Sequence, residues 1–511
     1  MFGAVSSAFL CGIKSVIVRV EADVSYGLPG FDMVGDLSSQ VRESKERVRT
    51  AIKNSGISLP AKKTVINICP ADIHKQGSSM DIAIAVAVLT AHDEIPGDAL
   101  GDTVFVGELG LEGRINGING VMAMVSAAKA QGYKRCIIPK DNISEGSVID
   151  GITVYGAETL GQVVAFLKGE DLIEPTKCCA QEIFEEETGR TGEDFSDING
   201  QTVLKRACEI AAAGMHNLLM IGPPGSGKTM AARRIPGILP SITLKEAIEI
   251  SSLYSVNGML PGGKGLMAKR PFREVHHTVT KIAMIGGAGR AGEVSLADKG
   301  VLFLDEFPEF AREVLETLRQ PMESGKISIS RASNHVDYPA RFMLVAAMNP
   351  CKCGYYPDLN KCNCTSSEIK RYLSKVSGPM LDRIDICTET SRVEYSDIVS
   401  TGKSESSEAI RSRVEAAHEI QRKRFAKYDY SFNSAMPSSH IRKYCVLDDR
   451  SSDYMKKAFD HLELSARTYN KTLKVARTIA DLEAAENISL DHLREALLFR
   501  GLDKKYIERQ A

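Results

Sequence analysis

The sequence predicts an α/β protein whose C-terminal part is helical. Three observations carry that prediction. Short apolar runs of strand length alternate with longer stretches of helical periodicity up to about residue 393. A glycine-rich loop stands between one such run and a helix. Beyond it, from residue 394, apolar residues recur at helical spacing instead.

The chain has 511 residues, 43% hydrophobic and 25% charged, enough for about three globular units. A net charge of −1 gives no global pull on nucleic acid, so any such contact has to be local. No apolar run approaches the ~18 residues a membrane span needs. The opening "MFGAVSSAFLCGIKSVIVRVEADV" has no basic start, and Lys14 interrupts its apolar part, unlike a secretory leader. The expectation is a cytoplasmic protein with no membrane partner, in a compartment where thiols stay reduced.

Residues 1–169 read as a first α/β domain. "SVIVRVEADV" alternates Val16, Val18, Val20, Ala22 and Val24 with polar or opposite-face residues, a half-buried strand. "SSQVRESKERVRTAIKNSG" is a helix with Val41, Val48 and Ile52 on one face and Gly56 as its stop. "TVINIC" is a strand and "SSMDIAIAVAVLTA" a helix too apolar for a surface. "VFVGELGLEGRI" reads as a hairpin, "KRCIIP" as a strand and "AETLGQVVAFLKG" as a closing helix. Residues 170–199, acidic and aperiodic, read as a linker. Residues 200–393 form a second α/β unit with buried-type strands "NLLMIG", "GVLFLDE" and "FMLVAAMN". Residues 394–511 are helical, with Ile410, Val414, Ala417 and Ile420 marking one face.

The glycine-rich loop is Gly222, Pro223, Pro224, Gly225, Ser226, Gly227, Lys228 and Thr229, the G-x-x-x-x-G-K-[ST] pattern between strand and helix. Its backbone N–H groups and the following helix N-terminus suit phosphate. Lys228 is placed for the β- and γ-phosphates and Thr229 for Mg²⁺. Asp305 and Glu306 end the strand "GVLFLDE", where an Asp serves Mg²⁺ and a Glu polarises an attacking water. Asn349 ends the next strand, beside the acids. Arg383 either pairs with Asp382 or Asp385 or serves as an arginine finger for a neighbouring subunit. Arg467, in the helical part, could approach the same phosphates.

The ordered segments "HNLLMIGPPGSGKTMAARRIPGILP", "GEVSLADKGVLFLDEFPEF", "GKISISRA…YPARFMLVAAMNPC" and "SGPMLDRIDI" resemble the magnesium-chelatase-like branch of the AAA+ ATPases. With "GLPGFDMVG" near the start, the whole chain is similar to the bacterial YifB/ComM family. That resemblance implies an AAA+ P-loop α/β core, a helical lid, and a ring, usually a hexamer, with ATP and Mg²⁺ between subunits. By motif it makes Lys228 and Thr229 Walker A, Asp305 and Glu306 Walker B, Asn349 sensor 1, Arg383 the finger and Arg467 sensor 2. Relatives of the ComM type are understood as motors that drive branch migration during recombination and DNA uptake. An activity on branched or single-stranded DNA is what the resemblance implies. Metal insertion into a tetrapyrrole is not expected, because no stretch looks like the metal-binding domain of the chelatase partner. An AAA+ remodeller of proteins, a chelatase-like chaperone ATPase and a nucleotide-binding scaffold remain competing readings.

The first domain resembles the Lon-type protease domain (ribosomal S5 domain 2-like), which uses a Ser–Lys dyad. Ser79 falls at the serine, but Met122 stands where the lysine belongs. A thioether cannot take the serine's proton, so no peptidase is expected and Ser79 is read as a helix-cap hydroxyl. Related recombination motors use this domain as a DNA-binding or ring-forming scaffold.

DNA contacts are expected on loops. "GKISISRASNHVDYPARF" reads as a hairpin carrying Lys326, Arg331 and His335. "KIAMIGGAGRAGE" offers Arg290 among flexible glycines, and "IQRKRFAK" reads as a solvated basic face. Finally, Cys351, Cys353, Cys362 and Cys364 form C-x-C-x8-C-x-C. Four thiolates match a structural Zn²⁺ site, with a redox-sensitive dithiol or free thiols as alternatives. The cluster starts two residues after Asn349, so it is read as a brace beside the nucleotide site.

Overall fold

The computed structural model describes residues 1–176, 180–188, 193–261, 265–287, 289–331, 334–392 and 404–500. The boundary expected at 393/394 lies outside the described residues.

The first unit is built on an eight-stranded mixed sheet. Its order is Pro175–Thr176, Thr153–Ala157, Arg135–Pro139, Thr103–Phe105, Phe2–Cys11, Lys14–Ser25, Lys63–Cys69, Gly30–Val34. Phe2–Cys11 and Lys14–Ser25 form a long antiparallel hairpin whose turn is Gly12–Ile13, with Cys11 opposite Lys14. The helix Asp81–Ala91 is buried along its whole length. One side packs on that hairpin and the other on the helix Ser39–Asn54. Such a helix has no wet face to keep polar, which explains its unbroken apolar sequence. Ser38 caps the helix Ser39–Asn54, and Gly56, at φ +82°, ends it in the left-handed conformation that glycine tolerates.

Three expectations here need correction. "VFVGELGLEGRI" is not one hairpin: Thr103–Phe105 joins the main sheet in parallel, and only Glu108–Leu109 pairs back with Ile115–Asn116. Ser79 is not a helix cap, since Met80 precedes the helix without a side-chain bond. Instead the buried Ser79 hydroxyl donates to the Ala8 carbonyl at 2.9 Å. The acidic stretch 170–199 is also structured in part. It adds an edge strand at Pro175–Thr176 and a helix at Ala180–Thr188, and it buries Phe195 and Ile198 in the next core.

The second unit holds a five-stranded, all-parallel sheet in the order Phe272–Val275, Val301–Leu304, Met343–Met348, Leu218–Ile221, Ile386–Glu389. Leu218–Ile221 is first in sequence but lies between the fourth and fifth strands. Chain direction therefore switches at its carboxyl end, where open parallel sheets bind ligands. The helices Ser407–Arg424, Asp449–His461, Ala466–Leu482 and Leu490–Leu498 pack onto this unit through a shared core that includes Val414, Ala417, Val475 and Ala480. Ile420 is only half-buried; the buried neighbour is Gln421, whose amide bridges the Ala213 carbonyl and the Asn433 N–H. Within "IQRKRFAK", Arg422 and Lys423 pair with Glu419 as on a solvated face. Arg424 departs from that reading and forks onto the buried Asp481 at 2.6 and 2.7 Å.

The first two units share a core. Met122, Val125 and Val148 cluster with Ile250, Tyr254 and Leu266 of the second unit. At the same seam Glu145 is buried, takes backbone N–H bonds from Val121 and Met122, and accepts from Ser255 at 3.2 Å. Burial raises its carboxyl pKa. Among the described residues no helix is long and apolar enough to cross a membrane.

Candidate active site

The phosphate loop leaves the end of Leu218–Ile221 and enters the helix Lys228–Ile238. Gly225 and Gly227 sit at φ +73° and +85°, which a side chain resists. Gly222 is needed for space: a Cβ there would lie 2.0 Å from Thr390 Oγ1. Ser226 and Thr390 share a hydrogen bond at 2.6 Å, tying the loop to the end of the strand Ile386–Glu389.

Lys228 is buried and donates to the carbonyls of Gly222 and Pro223, at 2.8 and 2.9 Å, and to Asn349 Oδ1 at 3.3 Å. Burial lowers its pKa to about 8, against the pull of Asp305. Thr229 Oγ1 donates to Asp305 Oδ2 at 2.7 Å. The Glu306 N–H reaches back to Asp305 Oδ1 at 2.8 Å, and Glu306 itself sits at φ +52° with its carboxylate exposed. Lys228, Thr229, Asp305, Glu306 and Asn349 thus meet at the carboxyl ends of three adjacent strands. A helix N-terminus with glycine-freed N–H groups and a lysine suits a triphosphate. A Thr–Asp pair suits the accompanying Mg²⁺.

Sequence reading missed His277, whose Nδ1 stands 3.3 Å from Glu306 Oε2. The signal was available, since "HH" directly follows the strand Phe272–Val275 beside the acid-bearing strand.

The four cysteines converge. All four Sγ atoms lie within 4.8 Å of one another, with Cys351 3.3 Å from Cys353 and 3.8 Å from Cys362. A tetrahedron with ~2.3 Å Zn–S bonds needs S···S separations of about 3.8 Å, so the set fits one zinc. Burial opposes ionisation of Cys353, yet the Tyr355 N–H and the neighbouring thiols lower it to about 6. The knuckle also touches the phosphate loop. Gly354, at φ +86°, packs so closely on Pro224 that a Cβ would come within 2.5 Å of its Cδ.

Arg383 pairs with neither Asp382 nor Asp385. Its Nη2 donates to Glu323 at 2.7 Å, its Nε to the Arg319 carbonyl and its Nη1 to the Pro379 carbonyl. Asp385 is buried against Lys471 at 2.9 Å and accepts the Asn217 N–H at 2.9 Å. Burial would raise its pKa, but Lys471 and His216 hold it well below the usual carboxylate range. Arg467 does not approach the phosphate loop of its own chain; it also sits on Glu323. The reason is topological. The Arg383 carbonyl accepts from Asn217, which precedes Leu218–Ile221, whereas the loop follows that strand. Four extended residues separate the two ends by roughly 13 Å.

Of the expected DNA contacts, Lys326 lies on the hairpin Lys326–Arg331/Asn334–Pro339 and is paired with Asp337 at 2.8 Å. Arg331 and His335 occupy register positions near the hairpin tip, opposite Asn334 and Ser330; their side chains lie outside the described residues. Arg290 is exposed on a short hairpin, Gly286–Gly287 with Arg290–Ala291. Tyr338 joins the two hairpins by donating to the Gly287 carbonyl at 3.0 Å. Gly12, at the hairpin turn of the first unit, packs against Val336. Met122, at the expected lysine position, is fully buried, and the Ser79 hydroxyl is bound to backbone.

This sheet order, loop and acid pair define a P-loop ATPase of the AAA+ class. Family models described as "Magnesium chelatase, subunit ChlI", "Subunit ChlI of Mg-chelatase" and "Magnesium chelatase, subunit ChlI C-terminal" match residues 194–398, 20–142 and 404–500. Competence protein ComM of Haemophilus influenzae is 42% identical over 496 residues, 96% of each chain. YifB of Escherichia coli is 41% identical over 505 residues, 98% of this chain and 97% of its own. DNA replication licensing factor mcm6 of Dictyostelium discoideum is 24% identical over 308 residues, 58% of this chain and 30% of its own. The chain belongs to the ComM/YifB family of magnesium-chelatase-like AAA+ ATPases, which use ATP and Mg²⁺.

Proposed function

We propose that this protein is a cytoplasmic, ATP-hydrolysing ring, hexameric with nucleotide, that moves on DNA and migrates branched junctions. Lys228 and the loop N–H groups hold the phosphates, and Thr229 and Asp305 hold Mg²⁺. Glu306 takes the proton of the attacking water while Asn349 fixes its position. Arg383 reaches the phosphates of the adjacent subunit, and Arg467, sharing its carboxylate, goes with it. A zinc ion on Cys351, Cys353, Cys362 and Cys364 braces the wall of the nucleotide site. Lys326, Arg331, His335 and Arg290 contact DNA phosphates.

One observation carries the motor reading. The hairpin ending at Pro339 runs within four residues into the strand Met343–Met348, which ends beside Asn349. A displacement at the phosphates therefore has a short, stiff route to the hairpins. A relative that is a DNA replication licensing factor favours DNA over a polypeptide as the track.

The test is turnover of a four-way junction with ATP, comparing wild type with Lys228→Ala and Glu306→Gln. Wild type migrates the junction until its strands separate, both variants fail, and binding weakens steeply with salt. ATP hydrolysis that no DNA stimulates, but a polypeptide does, would replace the DNA motor with a protein remodeller. Metal analysis giving much less than one zinc per chain would remove the brace.

A further inference from the structure

We propose that Glu323 is a positioning residue that gathers Arg383 and Arg467 into one unit for the phosphates of an adjacent subunit. The proposal rests on the ring reading above and adds a residue that no motif marks.

The geometry is a single carboxylate with two guanidinium partners. Glu323 Oε1 accepts from Arg383 Nη2 at 2.7 Å and from Arg467 Nη2. The three residues come from separate elements. Glu323 is on the short helix Pro321–Ser324, immediately before the hairpin. Arg383 lies between the helix Gly378–Leu381 and the last sheet strand. Arg467 is in the first turn of Ala466–Leu482. All three line one cleft of ≈ 1270 Å³ between the ATPase sheet and the helical part.

The two arginines are held unequally. Arg383 is nearly buried and fixed by two backbone carbonyls besides Glu323. Arg467 is 41% exposed, and among the described residues Glu323 is its one hydrogen-bonding partner. Two guanidinium groups this close repel unless an anion lies between them. Glu323 supplies that anion: burial would raise its pKa, but both arginines together lower it. Its carboxylate is half exposed, so the cluster opens to the surface. Without Glu323, Arg383 keeps its place and Arg467 is set loose. An arginine that stabilises charge in transfer has to be pre-aimed, so loosening it costs turnover more than binding.

The test is subunit mixing. Glu323→Ala should lower ATPase kcat about tenfold with KM within about twofold, and Glu323→Gln, which keeps the shape and loses the charge, should behave alike. Lys228→Ala has no active site of its own but intact arginines. In rings formed from equal parts Glu323→Ala and Lys228→Ala, about one quarter of interfaces join an intact loop to an intact arginine pair. The mixture should therefore recover about a quarter of the wild-type rate. No recovery, while Arg383→Ala mixed with Lys228→Ala does recover, would show that Glu323 acts within its own subunit and would overturn the proposal. Unchanged or raised kcat in both Glu323 variants would overturn it too. If the Arg383→Ala mixture also fails, the trans arginine itself falls, and with it the ring reading. Melting curves and sedimentation of each variant establish that the subunits fold and assemble; should Glu323→Ala fail to, Glu323→Gln carries the same mixing test.

Discussion

Replacing Gly354 by alanine should damage nucleotide binding, although the residue touches no phosphate. Two penalties combine. At φ +86° an alanine pays about 1–2 kcal/mol for the left-handed backbone. Its Cβ would also lie 2.5 Å from Pro224 Cδ and 2.9 Å from Cγ, about 1 Å inside ordinary contact. Overpacking of that kind costs about 1–3 kcal/mol. The total is about 2–5 kcal/mol, to be divided between fold and site. Pro224 is a rigid ring within the phosphate loop, so relief moves loop backbone, the part that donates to phosphate. If half the strain, about 1–2.5 kcal/mol, appears there, ATP affinity falls about 5- to 60-fold. The assay is titration with a fluorescent nucleotide, alongside thermal melting. Gly97→Ala, where a Cβ meets nothing within 4 Å, is the control and should leave both unchanged. Affinity within twofold of wild type and an unshifted melting curve would refute the coupling of knuckle to loop.

Other outcomes follow from the same geometry. Lys228, lowered to about 8 by burial, loses its proton above that pH in the free protein, while bound phosphate favours the ammonium form. Affinity must therefore fall as pH rises: nucleotide titration should give about tenfold weaker binding at pH 9 than at pH 7, and a flat profile would contradict the burial. Lys471→Met leaves Asp385 buried without its main partner, and denaturant unfolding should show a loss of about 3–5 kcal/mol. Ser79→Ala removes one buried hydroxyl bond; it should cost about 1 kcal/mol and leave ATPase turnover intact. Any activity abolished by that change would give Ser79 a chemical role.

The ATPase machinery was legible because its signal is local. A phosphate loop needs glycines, a lysine and a hydroxyl within eight positions, and the strand before it and helix after it are contiguous. The cysteine knuckle was legible for the same reason. The partners of Arg383 were not, because adjacency in sequence pointed to Asp382 and Asp385. The chain instead turns Asp385 toward Lys471 and meets Arg383 with a glutamate 60 positions away. Arg467 reaches that glutamate across 144 positions, a distance over which no periodicity carries information. Phe2–Cys11 escaped notice as a strand because it is buried on parts of both faces and lacks clean alternation. Phe195 and Ile198 were hidden by the acidic residues around them.

The core shared by the first two units has a consequence for how the molecule comes apart. Met122 and Val125 lie in the same apolar cluster as Ile250 and Tyr254, and Gly12 is seated on Val336. Melting either unit alone would strand the other's half of that cluster in water. The two should therefore denature in one calorimetric transition, with a calorimetric enthalpy matching the van't Hoff value for both together. A fragment beginning after residue 169 would carry the bared apolar face, and it should precipitate where the full chain stays in solution.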